Sequence, residues 1–117
     1  MADDFDAAEE RARLAARDLL AASNDVIRRR SITWFTARDE VDFAEVSRLG
    51  HYLPSRKLDD ARAGLEIAAD ALTEVDSIST AHAAQAAGEA PAGTVEAIRR
   101  LTAIADDCEA RAISLRL

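Results

Sequence analysis

The stretch LDDARAGLEIAADALTEV, Leu58 to Val75, decides how this chain is read. Its Leu58, Ala61, Leu65, Ala68, Leu72 and Val75 step alternately by three and four, which draws an apolar seam along an α-helix and not the period of two of a strand. Gly64, Ala68 and Ala71 add a strip of small residues beside the seam, narrow enough for another helix to come close. Close packing is the usual compensation for the roughly 1 kcal/mol that a glycine costs inside a helix. On the other side Glu66, Asp70 and Glu74 follow one another at i,i+4. With Ser55 as a cap, the segment predicts a long helix over about 55–80, and to 87 if the pattern persists. Continued at the same spacing the seam reaches Ser79, His82 and Ala86.

Working outward, residues 4–30 repeat the pattern. Phe5, Ala8, Ala12, Ala15, Leu19, Ala22 and Val26 form one stripe, acidic residues fill the first turns and arginines the last, and Glu9 to Arg13 and Asp25 to Arg29 are favourable i,i+4 pairs. At the other end GEAPAG, residues 88–93, reads as a loop because of Pro91 and its two glycines. Thr94 then caps a last helix over about 94–116, whose Ile98, Leu101, Ala105, Cys108, Ala112 and Leu115 again step by three and four. The stretch 31–54 reads two ways. Thr36 and Asp39 suggest a short helix over about 37–49 that stops at Gly50, whereas the β-branched and aromatic residues of 32–36 and 41–46 suit a hairpin around ARDE. Trp34, Phe35, Phe43 and Tyr52 all lie here and are expected to plug one end of the bundle. The expected fold is therefore all-α, a single domain over 1–117. It is a small bundle of three long antiparallel helices plus one short helix or hairpin.

Composition narrows the functions. The 117 residues suit one domain with a real core, and 49% hydrophobic residues with only 4% aromatic mean that alanine-lined helix contacts must build that core. A net charge of −7 argues against nucleic-acid binding, which needs a basic face; Arg28, Arg29 and Arg30 sit where the carbonyl end of a helix favours cations. No apolar segment approaches the roughly 20 residues of a membrane span, and MADDFDAAEE is unlike a signal peptide, so a cytoplasmic protein is the default expectation. A lone cysteine forms no internal disulfide or cysteine-rich metal site.

Chemistry-bearing residues are sparse. Neither His51 nor His82 has a carboxylate three or four residues before it, as an inward-facing metal pair would need, so no metal is expected and no cofactor either. Cys108 lies on an apolar stripe, where it serves as a small hydrophobe. The segment AHAAQAAG, Ala81 to Gly88, resembles the site of histidine phosphotransfer domains, helical bundles of similar size, and that resemblance implies phosphoryl transfer through His82. Where that family carries a lysine three residues on and a glycine four residues on, this chain has Gln85 and Ala86, which removes the group that would meet the phosphoryl charge. In size, acidity and alanine content the chain also resembles the small helical-hairpin substrates of type VII secretion, which implies leaderless export. Their Trp-x-Gly turn is here Trp34-Phe35-Thr36, and their tyrosine signal is Tyr52 followed by Arg56. The reading that remains is a non-enzymatic helical interaction protein, an adaptor, chaperone-like or inhibitory partner that binds protein and self-associates. Its expected contact residues are Gly64, Leu65, Ala68, Ala71 and Leu72, rimmed by Glu66, Asp70 and Glu74.

Overall fold

No glycine or proline precedes Gly50, so nothing in the early backbone chemistry forbids a continuous helix. The computed structural model describes residues 2–40, 54–85 and 91–117, with side chains over 4–29, 57–84 and 94–117. Among these residues three helices pack together and no strand occurs: α1 Ala2–Glu40, α2 Pro54–Gln85 and α3 Pro91–Arg116. α1 runs for 39 residues, past the expected end at Arg30. The β-branched and aromatic residues of 32–36 each cost a helix only a few tenths of a kcal/mol, so they weaken it without stopping it. That corrects the hairpin alternative, whose first strand is helical here. Residues 37–40 of the expected short helix are the last turn of α1; its remainder, and the side chains of the aromatic plug, lie outside the described residues.

α2 and α3 each start on a proline, three residues before Thr94 in the case of α3. Proline's missing N–H is not needed in a first helical turn and its fixed φ is already helical, so Pro91 opens a helix where the loop 88–93 was expected. The three helices make a rod of 67 × 17 × 17 Å. α1 packs along both neighbours, which meet each other less extensively.

The α1 stripe is the core-facing one: Phe5, Ala12, Ala15, Leu19 and Ala22 are buried, with Ala8 and Val26 packed against them. On α3, Leu101, Ala105, Cys108, Ala112 and Leu115 are buried in the same cluster. α2 differs from its expected seam. Ala61, Ala68 and Val75 are buried as expected, but the companion line is Gly64, Ala71 and Ile78, while Leu58, Leu65 and Leu72 are only half-buried at the flank. The helix is rotated so that its small residues face inward. The cause is the approach of α1: a Cβ added at Gly64 would collide with Ser23 Oγ and touch Leu19 Cδ1 at 3.4 Å. A leucine line there would hold the two helices apart.

Candidate interaction face

Four arginines tie the helices to one another. Arg11 on α1 donates to both carboxylate oxygens of Glu109 on α3, Nε to Oε1 at 3.1 Å and Nη2 to Oε2 at 2.5 Å, and Nη2 also donates to Asp106 Oδ1 at 2.7 Å. About two turns further along the rod Arg116 on α3 returns the contact, its two Nη atoms donating to the two oxygens of Asp18 on α1, both at 2.8 Å. Such fork-on-fork pairing fixes orientation as well as distance. Arg13 bridges α1 to α2, donating to Asp76 at 2.6 Å while holding Glu9, and Arg100 donates to Glu74 at 2.9 Å. The carboxylates hold the guanidinium of Arg11 above its ordinary pKa through these hydrogen bonds, Glu109 first and Asp106 next. Arg116 likewise holds the Asp18 carboxyl below its ordinary 3.8. These groups lie at the solvated surface, so each pair adds little to stability and its main effect is to set register.

That register has a consequence for the apolar surface. Between the Arg11 cluster and the Asp18–Arg116 pair lie Leu14 on α1 and Ile113 on α3, and they are 56% and 62% exposed. A shallow groove beside Leu14 is walled by Leu14, Ala15, Asp18 and Glu109. Among the described residues, Val95 on α3 and Leu117 just past its end are the other large apolar side chains left open. Covering Leu14 and Ile113 would return about 2 kcal/mol, since fully burying an exposed aliphatic side chain is worth roughly 1.5–3.

The residues expected to mediate self-association are placed differently. Gly64, Ala68 and Ala71 are buried within the chain, Gly64 against α1, so they are not exposed to a second molecule. Leu65 and Leu72 are half-buried, and Leu72 packs on the core. Glu66 and Asp70 are exposed, whereas Glu74 is engaged by Arg100. The physical reason is the rotation of α2: the strip of small residues that looked spare faces the bundle's own core, with α1 closing on Gly64. Leu14 and Ile113 went unnoticed because each sits alone off its helix's stripe. The sequence signal is one large apolar residue on a face otherwise made of charged and small residues.

His82 stacks on Phe5, ring centroids 3.6 Å apart and planes 12° from parallel, which joins the last turn of α2 to the start of α1. Cys108 is 1% exposed, and burial pushes its thiol above the ordinary value, with Asp107 adding to the shift. Among the described residues no group of three or more His, Cys, Asp or Glu could hold a metal ion, and no helix is long and apolar enough to cross a membrane. No protein-family model, curated protein or solved structure matches this chain.

Proposed function

We propose that the chain is a non-enzymatic helical interaction protein, acting as an adaptor, chaperone-like or inhibitory partner, which binds protein through the outer face of α1 and α3. The observation that carries this is the pair Leu14 and Ile113, two large apolar side chains more than half exposed on adjacent helices and levelled by the ion pairs on either side. Apolar side chains scattered singly are ordinary on a surface; two at one level on neighbouring helices, with a groove beside Leu14, suit the anchor of an interface. The bundle is read as an antiparallel α1–α2 pair with α3 parallel to α1. Supporting this are the partners met along α1: Phe5, Arg13 and Ser23 contact His82, Asp76 and Gly64, whereas Arg11 and Asp18 contact Glu109 and Arg116. The non-enzymatic part is supported by how His82 and Cys108 are engaged, one by a phenyl ring and the other by the core.

The test is site-specific. A photo-crosslinking residue at position 14 or 113 should capture partner protein in the native host, and the same residue at position 66 on α2 should not. The double variant Leu14→Glu, Ile113→Glu should lose the capture while keeping its helix content. Capture from position 66 alone would replace this face with the acidic one of α2.

A further inference from the structure

The outer face of α1 carries a charge pattern that is complementary to itself. Ala7, Glu10, Leu14, Arg17 and Ala21 are all exposed and fall on one side of the helix, opposite the buried Ala12, Ala16 and Leu19. Arg11, Arg13, Arg28 and Arg29 each hold a carboxylate. Arg17 is the exception among the α1 arginines whose side chains are described, and Glu10 is likewise without a hydrogen bond or ion pair among the described residues. The two unpaired charges are of opposite sign and stand about one helical turn, roughly 5 Å along the axis, on either side of Leu14. They are too far apart on one helix to meet each other.

We propose that this face binds a second copy of the chain, α1 against α1 in antiparallel sense, about a two-fold axis that passes beside Leu14. The proposal rests on the interaction reading above and names one partner of that same face. In this arrangement Glu10 of each copy lies over Arg17 of the other, Leu14 meets its own counterpart, and Ala7 lies over Ala21. The four alanine positions let the helices approach, and the open groove beside Leu14 takes up the leucine of the second copy. A parallel arrangement would set Glu10 on Glu10 and Arg17 on Arg17, so the charges select the orientation. The contact is isologous and closes on itself, giving a dimer and not a filament.

Sedimentation equilibrium at micromolar concentration should find the wild type at twice 12.6 kDa. Glu10→Arg alone and Arg17→Glu alone each replace two attractions by two repulsions, and each should weaken the dimer about tenfold. An equimolar mixture of the two variants should recover wild-type affinity, because only the mixed dimer restores both pairs, and circular dichroism verifies that each variant is folded. Leu14→Cys should crosslink to itself under mild oxidation, with the buried Cys108 taking no part. A wild type at 12.6 kDa throughout, a dimer indifferent to both charge swaps, a mixture no tighter than its components, or a Leu14→Cys dimer that does not crosslink each overturns the proposal. A monomeric wild type would leave the interaction reading to be judged by capture from positions 14 and 113.

Discussion

The approach of α1 to α2 at Ser23 and Gly64 can be tested by filling it. Ser23 is fully buried and its hydroxyl has no hydrogen-bond partner among the described residues. A buried, unpartnered hydroxyl costs about 1 kcal/mol or more, so Ser23→Ala should stabilise the protein by roughly that amount. Gly64→Ala brings two opposed effects. The helix gains about 1 kcal/mol in propensity, yet the new Cβ collides with Ser23 Oγ, and overpacking of this kind costs about 1–3 kcal/mol. Alone, the substitution should therefore be neutral or destabilising. Once Ser23→Ala has removed the hydroxyl, the nearest atoms to the new Cβ are Leu19 Cδ1 and the Cβ of residue 23, each at 3.4 Å, an ordinary contact. The double variant should then be about 2 kcal/mol more stable than wild type, more than the two single effects together. Urea denaturation of the four chains, followed by far-ultraviolet circular dichroism, measures the coupling as a double-mutant cycle. If Gly64→Ala stabilised equally in both backgrounds, the helices would not meet at this point and the inward rotation of α2 would be wrong.

Three other outcomes follow from the same packing. Ala68 is fully buried, so Ala68→Glu should cost about 4 kcal/mol and melt the bundle itself, a loss of helix content visible by circular dichroism at any protein concentration. Because Arg116 lowers the folded-state pKa of Asp18, that pair stabilises above the ordinary 3.8 and fades as the pH falls through the lowered value. Asp18→Asn should thus cost about half a kcal/mol near neutral pH, with the difference from wild type vanishing in acid denaturation profiles. Cys108 is buried with its thiol pushed up, so a thiol reagent should modify it slowly in the native protein and rapidly in denaturant; fast native labelling would mean that α3 opens.

Spacing carried the helical part of the fold, because a stripe such as Phe5, Ala12, Leu19 or Leu101, Cys108, Leu115 can be buried only as a helix. It could not settle which way α2 turns. Around Ala61, Ala68 and Val75 the chain offers leucines on one flank and Gly64 and Ala71 on the other, and hydrophobicity alone favours the leucines. The choice belongs to the neighbour: Ser23 leaves room for a glycine and not for a leucine, and nothing within α2 reports that. The end of α1 was misjudged for a related reason. A run of β-branched residues lowers helix propensity slightly, but ending a helix takes a glycine, a proline or a loss of packing, and none of the first two occurs before Gly50.

The proposed interaction face was hidden for a different physical reason. Arg11 and Glu109 are 98 residues apart, and no local pattern announces that they meet. Only once they do, with Asp18 and Arg116 below them, do two isolated apolar residues become neighbours in level. The same register explains why the acidic stripe of α2 and the outer face of α1 are separate resources. Asp76 and Glu74 spend their charge on Arg13 and Arg100, which hold the bundle together, and Glu66 and Asp70 stay exposed. On α1 the arginines whose side chains are described are held by carboxylates in the same way, except Arg17, whose complement Glu10 stands on the far side of Leu14 and cannot reach it. A charge pair that one chain cannot close, centred on an exposed leucine, is satisfied when the same helix is met in reverse. In the proposed dimer a second copy supplies that helix in the orientation the charges require.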